Sequence, residues 1–391
     1  MSTAPLARNP DLSRLLDDGY EVVIDGGHLI VRRIPYVTAD GTVQYGILAY
    51  PVAVAGDMIT SQTDHRIWFG GSQPFHANGS PLQLATPESH PITDTLQAAF
   101  MLSSKPGSGA YPDEYSKVTS YVRILAHEAL AIDPTVTATP GGSWDVVDDD
   151  SPFAYRDTAT SRAGLAPLMK CFTGQRIAIV GLGGTGGYIL DQIAKTPVST
   201  ITLVDGDPFE NHNAFRAPGA ASLETLRSQP KKVDYFKGIY SHMHTGIIAQ
   251  DVFLDEANLD LLAGSTFVFL ASDDASSKPA IIAWLERINI PFIDVGMGVG
   301  ETDGRMSGLL RVVTSIPGGR DHVHDRNRIP DAPAHDDEYG RNIQIADLNT
   351  LNATMAVIRW KRHIGFYADG TREGFSTYSV FTNDITNEDQ L

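Results

Sequence analysis

Cysteine occurs once in 391 residues, at Cys171. One cysteine cannot close an internal disulfide or build a paired-cysteine zinc centre, so no zinc is expected. No stretch of about 18 apolar residues is present, which argues against a membrane-spanning helix. The opening residues, MSTAPLARNP, lack the apolar core of a signal peptide. Positive charge is scarce too. There are 30 Lys and Arg against 47 Asp and Glu, for a net charge of −17. Partnership with nucleic acid or an anionic membrane is therefore not expected. The chain reads as cytoplasmic. No internal repeat or low-complexity tract stands out.

Hydrophobic residues make up 42% of the chain, enough for substantial cores. At about 150 residues per domain, the length suits two or three domains. The two halves differ in pattern. Before residue 155, Tyr20–Ile24 and His28–Arg32 flank Gly26-Gly27 and suggest a hairpin. Thr42–Tyr50 and Arg66–Phe69 read as strands, and Thr93–Leu102 and Asp113–Leu130 as helices. Trp68-Phe-Gly-Gly reads as core and turn. Asp133–Pro152, rich in Thr, Gly, Pro and Asp, reads as a linker. Residues 1–155 are thus expected to form a small α+β domain.

Residues 156–391 alternate strands and helices. Arg176–Val180, Thr266–Ala271 and Pro291–Val295 are short buried-type strands, and Thr200–Val204 is the second strand in order. Helices are expected at Tyr188–Lys195, Lys278–Ile288 and Ile345–His363. Met306–Thr314 and Phe375–Phe381 complete the strands. This alternation implies a Rossmann-like, doubly wound, mainly parallel α/β sheet covered on both faces.

Gly181, Gly183, Gly184 and Gly186 lie in a Gly-Leu-Gly-Gly-Thr-Gly loop between the first of these strands and a helix. Glycine lets the backbone approach a phosphate, and a helix N-terminus offers free N–H groups. Asp205 comes nineteen residues after Gly186, at the end of the next strand, where a carboxylate can accept from a ribose. These features alone fit ATP, NAD or FAD, so an NAD- or FAD-dependent oxidoreductase is the alternative.

The residues that follow are more specific. The chain continues Gly-Asp207-Pro-Phe-Glu-Asn-His-Asn213-Ala-Phe-Arg216. This resembles the ThiF/MoeB and ubiquitin-activating-enzyme family, in which Asp-x-Asp is followed by Asn-x-x-Arg. The resemblance covers residues 162–300 and implies adenylation of a carboxylate by ATP. It assigns Asp205 to the ribose and Asn213 and Arg216 to the triphosphate. Lys232 matches the family lysine, with Lys231 as competitor. Asp273 matches the aspartate that helps hold Mg²⁺, with Asp274 beside it. Arg162 lies where the family takes an arginine from a dimer partner, which implies a homodimer. The segment 339–361 resembles bacterial ThiF-type proteins with an extra N-terminal domain. It implies activation of the C-terminus of a ubiquitin-like protein in a bacterial conjugation pathway, and a conjugating-enzyme-like partner. The N-terminal domain would dock one of these. Adenylation of a tRNA base or a peptide carboxylate is the other ThiF-type alternative.

One part of the family pattern is missing. The crossover segment, about 301–345, contains no cysteine to take the acyl group. Cys171 lies before the first strand of the sheet and reads as a core residue. The acceptor is then a partner thiol, a directly attacking substrate, or a hydroxyl among Ser307, Thr314, Ser315 and Thr350. A hydroxyl needs a base, and His322, His324 and His335 are in the same polar stretch.

Overall fold

A computed structural model describes residues 4–55, 58–60, 64–141, 150–163, 165, 167–274, 276–330 and 343–391. The chain divides into two compact units. One is Met1–Ser151 with Tyr155–Leu165, the other Pro152–Ala154 with Ala166–Leu391.

In the first unit, β1 (Glu21–Asp25) and β2 (His28–Val37) form a hairpin. Its turn residues Gly26 and Gly27 have φ of 55° and 74°, which matches the twist of the strands. Then come β3 (Val43–Pro51), β4 (Ala53–Ala55), β5 (Met58–Thr60), β6 (Ile67–Gly70), β7 (Ala85–Pro91) and β8 (Gln97–Leu102). Six of them make an antiparallel sheet in the order β1-β2-β3-β6-β8-β7, while β4 and β5 pair separately. The helix Glu114–Ile132 begins at Asp113, whose side chain caps the Ser116 amide. It packs Val118, Tyr121, Val122 and Leu125 against Val31, Leu48 and Phe69. Phe69, from the Trp68-Phe-Gly-Gly stretch, is fully buried. One expectation fails here. Thr93–Leu102 is not a helix, because Gln97–Leu102 is strand β8 between β6 and β7. A short apolar run fits both periods, and here sheet pairing decides.

The second unit holds an eight-stranded sheet in the order β11-β10-β9-β12-β13-β14-β15-β16. These strands are β9 (Arg176–Val180), β10 (Thr200–Val204), β11 (Ile247–Gln250), β12 (Phe267–Leu270), β13 (Phe292–Thr302), β14 (Arg305–Ser315), β15 (Glu373–Ser379) and β16 (Asp384–Gln390). The first five are parallel and the last three antiparallel. In β9, Ile177 and Ile179 face one core and Ala178 and Val180 the other. Both faces are covered, which is why these strands read as continuous apolar runs. Helices Gly184–Ile193 and Ala346–His363 cover one face, the latter through Ala353, Ala356 and Trp360. Helix Lys278–Arg287 covers the other through Ile281, Ile282 and Leu285. The glycine-rich stretch after Val295 stays in strand β13, and Asp303-Gly304 turns it into β14. Both turn residues have positive φ, the two-residue hairpin signature. The glycine-loop helix starts at Gly184, four residues before the expected Tyr188. No described helix is long and apolar enough to cross a membrane.

The second unit also carries a pH liability. His244 is completely buried. Its Nε2 donates to the Val198 carbonyl at 2.9 Å and its Nδ1 accepts from the Gly246 amide at 3.1 Å. Both nitrogens are satisfied only in the neutral ring, and burial pushes its pKa down. Burial does the same to His322 and His363. Below about pH 6.5 the unfolded chain binds protons that the native rings refuse, so stability falls as pH falls. Thermal melting between pH 7.5 and 5.5 should show this decline, and His244→Gln should make it shallower.

Candidate nucleotide site

The sheet order changes direction at β9, with β10 on one side and β12 on the other. The carboxyl ends of these strands open into a cleft of about 390 Å³, lined by the glycine loop, Asp205, Asn213, Arg216, Lys232 and Asp273. Ligands of open α/β sheets bind at such a switch point.

Two glycines are required by geometry. Gly181 has φ of 85°, and a Cβ there would lie 2.6 Å from the Ser272 amide nitrogen. A Cβ on Gly186 would lie 1.9 Å from the Gly181 carbonyl oxygen. The loop thus folds tightly on itself and aims the first turn of helix Gly184–Ile193 at the cleft.

Asp205 is buried, 8% exposed. Its carboxylate accepts from the Leu182 amide at 2.6 Å and the Asp207 amide at 2.9 Å. It therefore braces the glycine loop as well as facing the cleft. Asp207 is the more exposed carboxylate. Lys232 is buried, with Nζ 2.7 Å from Asp207 and 3.6 Å from Asp205. Lys231 points elsewhere, to the Gly206 carbonyl at 2.8 Å and Asp251 at 3.1 Å.

Asn213 belongs to the short helix Asn211–Ala214. Its Oδ1 accepts from the Glu210 amide at 2.8 Å. Its Nδ2 is buried with no partner among the described residues, and the same holds for Arg216 Nε. Burial pushes the Arg216 pKa down, and nearby Asp273 opposes that. Buried N–H groups without acceptors are costly. Both side chains line the cleft, so the acceptors they lack are those an anionic ligand would bring.

Asp273 is exposed at the mouth of the cleft. Asp274 is turned back into its own loop, with Oδ1 accepting from the Ser276 amide and hydroxyl. The Ser276 hydroxyl bond is the main reason its carboxyl titrates below the usual range. Both aspartates line the cleft. The side chain of Arg162 and the whole of His335 lie outside the described residues.

The hydroxyl acceptors need correction. Thr314 and Ser315 are 1% and 0% exposed within β14, and no substrate carboxyl can reach them. Ser315→Ala is therefore expected to leave the reaction rate per folded molecule unchanged, as a single-turnover assay would measure. Thr350 donates to the Ala346 carbonyl at 2.7 Å, back into its own helix. Ser307 is half-buried on β14. His324 is held by Glu286 at 2.9 Å, and His322 is wedged against Gly374. No described histidine is hydrogen-bonded to any of the four hydroxyls. Cys171 packs partly into the core, and burial raises its thiol pKa, so it is held as the thiol.

Residues that the spacing did not reveal also shape the site. Asn349, buried on the C-terminal helix, accepts from the Thr185 hydroxyl at 2.9 Å. Gln344 lines the cleft beside the glycine loop. In the sequence Asn349 shows as an amide at an apolar-stripe position of a helix, within the 339–361 segment that resembles bacterial ThiF-type proteins.

Known proteins resemble parts of this chain. The tRNA threonylcarbamoyladenosine dehydratase of Escherichia coli (strain K12) is 25% identical over 151 residues, covering 37% of this chain and 54% of that protein. The Haemophilus influenzae protein of the same name is 27% identical over 128 residues, covering 32% and 49%. The chain thus spans about half the length of these curated relatives. A crystal structure of E. coli MccB with ATP is 15% identical, with a TM-score of 0.45, over 60% of this chain and 72% of that one. Residues 10–158 match a domain of unknown function, DUF6791. Residues 156–358 match the ThiF family model, just over half of the chain, and the protein belongs to the ThiF family.

Proposed function

We propose that this protein uses ATP to adenylate the C-terminal carboxylate of a ubiquitin-like protein, as the activating enzyme of a bacterial conjugation pathway. The observation that carries the adenylation is the pair of buried N–H groups of Asn213 and Arg216, without partners among the described residues, in the cleft that the glycine loop also lines. They are donors awaiting phosphate oxygens. Lys232 adds a third donor and a second cation once it turns from Asp207. In the reaction a carboxylate oxygen attacks the α-phosphorus. The bond from that phosphorus to the pyrophosphate oxygen breaks, and pyrophosphate leaves with the electron pair. No proton needs to move, because the carboxylate is already ionised. The protein's task is to align two anions and neutralise the charge on the leaving group. Asp273 is the side chain that would hold Mg²⁺, and the ion would supply further charge neutralisation.

The choice of a ubiquitin-like substrate rests on the sequence resemblance. The N-terminal unit, residues 1–155, is proposed to dock that substrate or a conjugating partner. A homodimer would let Arg162 of a second copy complete the site. The cytoplasm, where ATP is abundant, is the proposed location. Without a crossover cysteine, the acyl group passes to a partner thiol or directly to its target. The likeness to tRNA-modifying enzymes favours a second reading, in which the carboxylate sits on a tRNA base. The net charge of −17 weighs against it.

Incubation with ATP and ubiquitin-like proteins ending in a free glycine tests the choice. Mass spectrometry should find the C-terminal adenylate, or a hydroxamate after hydroxylamine. An adenylate formed only on tRNA or on a short peptide would sink the ubiquitin-like reading.

A further inference from the structure

We infer that Asn349 is a positioning residue that joins the glycine loop and the Asn213–Arg216 arm into one rigid phosphate-facing surface. This rests on the nucleotide reading of the cleft.

Asn349 lies in the first turn of helix Ala346–His363 and is 0% exposed. The apolar stripe of that helix continues through Ala353, Ala356 and Val357. A leucine would suit the stripe, and burying an amide is costly unless its bonds are made. The amide makes them to two segments distant in sequence. Oδ1 accepts from the Thr185 hydroxyl at 2.9 Å, and Nδ2 donates to the Arg216 carbonyl at a longer 3.5 Å. The fit is close. A Cβ on Gly184 would lie 2.0 Å from Asn349 Nδ2, so that glycine makes room for the amide.

The same helix continues the pattern on either side. Gln344, just before its first residue, lines the cleft, and a Cβ on Gly183 would lie 3.9 Å from its Oε1. Asn352, one turn after Asn349, donates to the Gly296 carbonyl of β13 at 3.0 Å. A row of amides thus meets the glycine loop, the arginine arm and β13. Asn349 bonds two of those segments at once. The aim of the Arg216 guanidinium depends on its backbone, and that backbone is tied to the helix through Asn349.

Hydrogen–deuterium exchange of the ligand-free protein, paired with calorimetric ATP affinity, tests this. Asn349→Ala should speed exchange in both 181–187 and 211–217 by about ten-fold, and weaken ATP binding by a similar factor. Amides of β9 and β10 should stay as protected as in wild type. Asn349→Asp keeps the acceptor for Thr185 and loses the donor, so it should loosen 211–217 more than 181–187. Thr185→Val should loosen 181–187, and adding it to Asn349→Ala should cost nothing more there. Thr185→Ser should restore wild-type exchange. If Asn349→Ala does not accumulate, the Asp and Val variants decide alone. Wild-type exchange in both segments of these variants would overturn the inference. So would a uniform rise across the sheet, which means general destabilisation. If the wild type binds no ATP, the nucleotide reading fails, and the exchange pattern still decides the coupling.

Discussion

Arg216→Ala is expected to slow pyrophosphate release by about 10²–10³-fold, the loss seen when one preorganised donor to a developing charge is removed. It should do so without loss of stability. The guanidinium is half-buried, its Nε has no partner among the described residues, and burial lowers its pKa. Removing such a group relieves its burial cost and gives up only its attraction to the exposed Asp273. The bond from Asn349 is to the Arg216 backbone and survives the substitution. A melting temperature equal to or above that of wild type, with activity nearly gone, is the expected pair of results. A lower melting temperature with normal activity per folded molecule would make Arg216 a structural residue.

The second large effect is on stability. Asp294 is 0% exposed on β13. It lies 2.8 Å from Lys278 Nζ and 2.6 Å from an Arg311 guanidinium nitrogen. Lys278 opens the helix that follows the Asp273 loop, so this triad also fixes the base of that loop. Asp294→Ala leaves two largely buried cations beside each other. Breaking a buried pair in this way costs about 3–5 kcal/mol, which for a unit of this size lowers the melting temperature by about 10 °C. Asp294→Leu combined with Lys278→Met and Arg311→Met should recover much of that loss, because no charge is then stranded. A single Asp294→Ala variant that melts like wild type would show that water or rearrangement compensates the cations.

The strength of each local signal explains what the sequence allowed. The parallel strands β9 and β12 stood out because both faces are buried and the residues are almost continuously apolar. The nucleotide loop stood out because glycine there is demanded by contacts of 1.9–2.6 Å that any side chain would violate. Other parts had no such signal. Strand β16, Asp-Ile-Thr-Asn-Glu-Asp-Gln, is an exposed edge without β-type composition. It is held by the hairpin with β15 and by Arg328, whose guanidinium lies 2.7 Å from Asp389. Strand β8 carries an apolar run that serves either period. Asn349 and Asp294 were hidden because their roles depend on partners brought together only by folding, 164 residues away in the case of Thr185 and Asn349. Spacing reveals a site when its parts lie along one strand–loop–helix unit. It is silent about the residues that brace that unit from behind.

Identifying which phosphate bond of ATP is cleaved tests the central claim most directly. With ATP, Mg²⁺ and a carboxylate substrate, the cleft proposed here should yield pyrophosphate and an equal amount of AMP, bound as the acyl adenylate until an acceptor frees it. It should also return labelled pyrophosphate to ATP. Release of ADP and phosphate, or a tightly bound nicotinamide or flavin with no ATP turnover, would contradict it.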